Sequence, residues 1–319
     1  MLQENINWVL YDLGGLDSSL RSVQTLNFFI YDSLKIILLL FVMIFIVGVL
    51  RTYMPLYKIK KWLSGKKLGL GNLVASLFGA VTPFCSCSSI PIFFSFIKAK
   101  IPLGVTFSFL ITSPLVNEYL VVVMLGMFGW KITLVYVVFG ILIGVISGLV
   151  LGNMRLENHL VKDIFKEDVH LKKELYNSFK VRIDYGLKEA ATIVRKLWIW
   201  ILVGVGTGAL IHNYVPEEMI HTIIAKGGIF TVPVAVILGV PMYGSCAAIV
   251  PIAVVLFQKG IPLGTALAFM MAISALSLPE AIILKRAMKA KLIGLFFLIV
   301  AVAIVIVGYL INFLQMFLV

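Results

Sequence analysis

The sequence predicts an all-α integral membrane protein of two inverted structural repeats, about eight hydrophobic segments in all, with broken or re-entrant helices carrying the cysteine motifs. Three observations lead there. The composition, 61% hydrophobic and 13% charged with a mean hydropathy of +1.06, is that of a polytopic membrane chain and not of soluble domains. The segment VTPFCSCSSIPIFFSFIKAKIPLG from Val81 overlays PMYGSCAAIVPIAVVLFQKGIPLG from Pro241 at an offset of 160 without a gap, so Pro91 meets Pro251 and one IPLG meets the other. All three cysteines, Cys85, Cys87 and Cys246, fall in the two polar interruptions that this overlay superposes.

Residues 1–32 read as a mature interfacial segment, because Glu4, Asp12 and Asp17 ahead of the first long apolar run have the wrong polarity for a signal or transit peptide. The N-terminal repeat, 1–152, then carries apolar runs near 33–50, 71–97, 102–128 and 132–151. A polar linker at 153–188 follows, with acidic and basic residues mixed as in a solvated helix. The C-terminal repeat, 189–319, carries runs near 189–211, 229–257, 262–283 and 292–318. Runs of about 20 residues match a hydrocarbon layer of roughly 30 Å. They read as helices because lipid offers no water to unpaired backbone groups.

The net charge of +12 and pI near 9.6 do not make this a nucleic-acid binder. The positive residues concentrate at 51–67, in the linker region and at 284–292, as cytoplasmic loops do. Four crossings per half would split these groups between the two faces. Three crossings, with the cysteine-bearing segment re-entrant, put 51–67, 97–101, the linker and 284–292 together inside. Only Arg21, Lys35, Lys131, Lys226 and Lys259 then stay outside, with the N-terminus, and the second half stands upside down. Making the other interrupted segment re-entrant scores almost as well on this charge argument. The expected location is the plasma membrane of a cell, as a multi-pass chain.

Thr82-Pro83 and Pro91 flank the CSCSS run, and Gly239, Pro241 and Gly244 flank its counterpart; proline removes a donor and glycine loosens the backbone. A second pair of breaks follows at Thr112-Ser113-Pro114 and at Ser274, Ser277 and Pro279. Broken helices facing each other across inverted repeats are where secondary transporters hold substrate. Cys85 and Cys87 offer two soft sulfurs on one turn, and Cys246, opposite Ser86, offers a third from the other half; such sulfurs suit thiophilic metals and metalloids. Ser86, Ser88, Ser245, Thr112, Ser113 and Ser274 are candidate lining residues, or caps for the breaks. Glu118 and Glu280, costly at about 2.5–3.5 kcal/mol each in a membrane helix, come into register after a two-residue shift and, with Asn117, are candidate coupling sites. The competing reading is packing: kinks satisfied by serine and threonine, cysteines buried as small apolar residues, and carboxyls bonded to freed amides.

The run GAVTPFCSCSSIP from Gly79 through TSPLVNEY at Thr112, with GSCAAIVPI at Gly244 and SLPEA at Ser277, resembles the predicted-permease family whose best-known members are organoarsenical efflux permeases. The resemblance covers most of the chain, including both IPLG copies and the YMP and YVP ends at Tyr53 and Tyr214. It implies export of a thiophilic compound such as a trivalent organoarsenical, or of a soft metal ion.

Gly65-Lys66-Lys67 lacks the remainder of a nucleotide-binding loop, and His159, His170, His212 and His221 have no metal-ligand spacing. We therefore expect no enzyme and no cofactor, but a membrane-embedded permease for a small molecule, metal or metalloid, with a homo-oligomer left open. The alternative is a membrane thiol-disulfide electron carrier using the same cysteines through mixed disulfides. A chain whose kinks serve only packing or assembly is the third class.

Overall fold

The computed structural model describes residues 2–17, 20–53, 69–82, 86–154, 156–161, 178–214, 224, 228–242, 246–285 and 288–318. Among the described residues the only regular structure is helix. In chain order the helices are α1 Leu2–Asn7, α2 Arg21–Tyr53, α3 Leu70–Val81, α4 Ser86–Lys98, α5 Leu103–Leu115 and α6 Glu118–Asn153. The second half has α7 Phe179–Tyr214, α8 Thr231–Gly239, α9 Cys246–Gln258, α10 Leu263–Ala275, α11 Leu278–Leu284 and α12 Ala290–Leu318. Among the described residues, four stretches are long and apolar enough to cross a membrane: Ser22–Ile46, Leu120–Asn153, Leu263–Leu284 and Ala290–Phe317. The chain is thus a multi-pass helical membrane protein.

Residues 21–32, expected at the interface, are instead the first turns of α2. Their polar groups are accommodated by α1, because Asn27 Nδ2 donates to Asn7 Oδ1 at 2.7 Å and to the Tyr11 hydroxyl at 2.8 Å. Likewise α7 starts at Phe179, ahead of the apolar run at 189, with Asp184 and Lys188 paired one turn apart on its exposed face. These two long helices pack antiparallel. Arg182 Nη1 donates to the Thr52 carbonyl at 3.0 Å at one end, Gly48 meets Gly186 in the middle, and Phe29 meets Gly206 at the other end.

Helices α3 and α4 have 12 and 13 residues, about 20 Å each at 1.5 Å per residue, and stop short of a roughly 30 Å layer. They form a hairpin. Along α5, α3 runs parallel, with Asn72 Nδ2 bonded to Ser108 Oγ at 2.9 Å and Gly79 against Phe109 O and Ser113 N. The other arm, α4, returns to a tight turn at 99–102 and packs rings on α5, Phe93 on Phe107 and Phe96 on Phe109. After a break at Val116-Asn117 the chain continues into α6, which turns back at Gly129, whose φ of +79° suits glycine alone. Its second arm lies antiparallel to α5. A Cβ at Gly104 would sit 2.7 Å from Gly148 O and 2.9 Å from Gly152 Cα, so these helices touch backbone to backbone.

The second half repeats the plan. A Cβ at Gly264 would sit 2.6 Å from Asn312 N, and Gly239 lies against Phe269 O as Gly79 lies against Phe109 O. The turns match bond for bond: Ile101 N to Phe96 O and Ile261 N to Leu256 O are both 3.1 Å. At Lys100 the first half tolerates a φ of +56°, where the second places Gly260. Every residue of α5 and α10 is buried, and these two helices form the centre of the molecule. Between the halves, Phe107 stacks on Phe296 at 5.6 Å. A clip also joins them: Lys289 N donates to His159 O at 2.9 Å, Lys289 Nζ to Asn158 O at 3.1 Å, and Leu160 bridges Met288.

Gly104→Ala and Gly264→Ala are each expected to destabilise the fold by about 1–3 kcal/mol, the usual cost of overpacking. Thermal denaturation of the detergent-solubilised chain measures this, and an unchanged melting temperature in both variants would contradict the backbone contact.

Candidate functional site

Each half presents the same pair of features: two short helices, the second beginning at a cysteine motif, and a broken helix beside them. The first hairpin ends where Thr82 turns its hydroxyl back to Phe78 O at 2.7 Å and adopts an extended ψ of 135°. Its counterpart ends with Met242 N bonded to Gly239 O at 3.0 Å. The returning helices start at equivalent positions, α4 at Ser86 and α9 at Cys246. Cys87 is therefore the second residue of α4 and Cys246 the first of α9, with Ser86 and Ser88 in the same first turn. Cys85 and Ser245 lie outside the described residues, as do the side chains of Ser86, Cys87, Ser88 and Cys246.

The two cysteine-bearing helices reach across the molecule in a matched way. In the first half α4 packs on α2 and α5 and touches α11, the helix after the second half's break. Conversely α9 packs on α10 and on α6, the helix after the first half's break, where Phe257 meets Phe128 at 6.4 Å. Each cysteine helix thus borders the broken segment of the opposite half.

At the first break the freed backbone is well served. Asn117 Oδ1 accepts from Leu120 N at 2.8 Å, capping α6, and the Tyr136 hydroxyl donates to Leu115 O at 2.9 Å. Asn117 therefore has a capping role, and Tyr136, which lies within an ordinary apolar run, was not legible as part of the break. Thr112 and Ser113 are fully buried on α5, and Ser274, 8% exposed, is on α10. The second break has Ser277 as the residue before α11, with Pro279 in the first turn.

The two glutamates do not occupy equivalent places. Val116 N to Thr112 O and Leu276 N to Ala272 O match at the offset of 160, as do Val121 N to Asn117 O and Ala281 N to Ser277 O. No two-residue shift enters the backbone. Glu118 is consequently the first residue of α6, with an exposed side chain, whereas Glu280 is the third of α11 and only 2% exposed. Among the described residues no three His, Cys, Asp or Glu side chains gather at one point.

The fold and its doubled arrangement of broken helices are those of a polytopic helical membrane protein. The chain belongs to the family described as predicted permease, whose model matches residues 22–313. It is similar to a Streptococcus mutans protein that carries the name of a two-component membrane permease complex subunit, 24% identical across 55% of this chain. That match spans 58% of the relative's length. It is also similar to a UPF0718 protein of Methanocaldococcus jannaschii, 20% identical over 67% of this chain and 74% of the relative. No solved structure matches.

Tyr136→Phe should cost about 1–3 kcal/mol, because it leaves the Leu115 carbonyl without its donor inside a dry core. Thermal melting reads this, and a neutral substitution would show that the hydroxyl does not support the break.

Proposed function

We propose that this chain is a secondary permease that exports a thiophilic small molecule or a soft metal or metalloid, held between two inverted halves by Cys85, Cys87 and Cys246. The observation that carries the inverted reading is direction. Repeat-equivalent α2 and α7 run antiparallel, and the Lys289–His159 clip puts the end of α6 beside the start of its equivalent, α12. An inverted repeat has this property and a parallel one does not. Arg182 against Thr52 and Lys289 against Asn158 pair residues that border the basic stretches, which supports reading those stretches as one cytoplasmic face with the N-terminus outside.

On this placement the α3–α4 hairpin is the re-entrant element from the cytoplasmic face and α8–α9 its counterpart from outside. Their short arms support this, since neither can cross alone. The starts of α4 and α9 would then face a common chamber near mid-membrane. Sulfurs from both halves would supply soft ligands there, and serines at the breaks would line the approach. Alternating access follows if one half rocks against the other while the sulfurs keep the cargo. Glu280, buried on the helix that borders α4, is the acid we assign to ion coupling; exposed Glu118 has no such role.

Single substitutions Cys85→Ser, Cys87→Ser and Cys246→Ser are expected to lower export of a trivalent organoarsenical or of Cu(I) by on the order of 10–100-fold, as loss of support at a ligand site does. Everted vesicles loaded against each probe measure it. Full export by the triple variant sinks the sulfur site, and a trapped mixed disulfide with another protein would favour electron transfer instead.

Glu280→Gln should abolish the pH dependence of export, while Glu118→Gln should leave the profile unchanged. The same profile in all three proteins would remove Glu280 from coupling.

A further inference from the structure

The gapless repeat lets the interior of one half be read against the other, and the two interiors differ in kind. In the first half, the seam where α3 and α5 meet the second arm of α6 is polar: Asn72, Ser76, Ser108 and Thr112, all buried. Along α6 a glycine recurs at every fourth position, Gly140, Gly144, Gly148 and Gly152; Gly144 meets Ser76 and Thr112 and Gly148 meets Ser108, while Gly140 meets Val116 and Gly152 meets Gly104. At the equivalent positions the second half has Val232, Val236, Ala268 and Ala272 against Val300, Ile304, Gly308 and Asn312. One seam is glycine-faced and hydroxyl-lined; the other is filled by valine, alanine and isoleucine, and at its end Asn312 is bonded to the Thr265 amide and hydroxyl, each at 3.2 Å.

Within the polar seam the bonding is incomplete. Ser108 is bonded to Asn72 at 2.9 Å and to its own helix at Gly104 O, 3.1 Å. Ser76 Oγ and Thr112 Oγ1, both on residues with no exposed surface, have no hydrogen-bond partner among the described residues. Thr106, Ser108 and Thr133 by contrast bond back to the carbonyl four residues earlier, while Ser33, Ser147 and Ser274, away from this seam, likewise have no partner among the described residues. Both hydroxyls instead face Gly144, where a Cβ would collide with Thr112 Oγ1 and lie 3.1 Å from Ser76 Oγ. A buried hydroxyl without a partner raises the free energy of the conformation that leaves it so.

We propose that the first half is the one that rearranges: α3, with the hairpin it belongs to, has a second seating along α5 and α6 in which the Ser76 and Thr112 hydroxyls are bonded. Glycines let α6 accept that shift without side-chain interlock, and Asn72 and Ser108 offer alternative partners one turn away. The second half, with valine, alanine and isoleucine at the matching sites, holds its hairpin in place. This rests on the permease reading for its purpose, since it makes transport asymmetric, with the Cys85–Cys87 hairpin moving against a fixed Cys246 hairpin.

Hydrogen–deuterium exchange on the full chain in lipid nanodiscs tests it without reference to any cargo. Amides of residues 70–81 should exchange about tenfold or more faster than those of 231–239, since one uncompensated hydroxyl is worth about that factor in a two-state equilibrium. The double variant Ser76→Ala with Thr112→Val, which removes both hydroxyls and keeps the threonine's shape, should slow 70–81 by at least about tenfold and leave the melting temperature equal or higher. Equal exchange of the two segments in the unmodified chain overturns the proposal. So does unchanged exchange in the variant, or a lower melting temperature, which would mean that the hydroxyls were already bonded. Because transport is not measured, failure here leaves the sulfur site standing, and failure of the cysteine variants leaves this result intact.

Discussion

The structure is governed by the demand that every backbone donor and acceptor placed in hydrocarbon find a partner within the protein. A chain that breaks its helices in mid-membrane must answer for each freed group. At Val116-Asn117 the answer is local: an asparagine amide oxygen on one side and a tyrosine hydroxyl reaching over from α6 on the other. Where helices must instead approach closely, side chains are removed altogether, and Gly104 and Gly264 lie directly against the backbones of α6 and α12. Both solutions serve one end, a centre made of short buried helices with polar breaks.

The two halves share this skeleton and diverge in how they fill it. Turn bonds, glycine crossings and helix starts repeat at a constant offset, yet Tyr136 has Phe296 as its equivalent and the hydroxyl seam has an aliphatic one. Under the proposal that the first half rearranges, duplicated architecture with unequal interiors would separate the work of holding from the work of moving. Equal halves would open and close with equal ease.

Sequence reading came near the second pair of breaks because proline and polar residues there are conspicuous against apolar surroundings, but α5 runs through Thr112-Ser113-Pro114 and the first half breaks at Val116-Asn117 instead. The core of the cysteine breaks lies outside the described residues. It placed the start of α2 too late, since Asn27 and Asp32 look interfacial until α1 is seen to cover Asn27. It paired Glu118 with Glu280 by chemical likeness, whereas the backbone keeps its offset and sends one to the surface and the other inside. Tyr136 carries no signal of its role, being one aromatic among many. The glycine spacing from 140 to 152 was present in the letters, but what it faces depends on which helix lies opposite. That is a tertiary fact.

The bond from Lys289 to His159 has a consequence for the integrity of the chain. It ties the far end of the first repeat to the corner of the second at a point that does not depend on the intervening covalent path. A cut in the connecting segment would therefore leave two pieces still buttoned together at this corner and along α2 and α7. Either piece made alone would lose a buried strut and the partner for an amide, so the molecule is separable in its covalent thread but not in its fold.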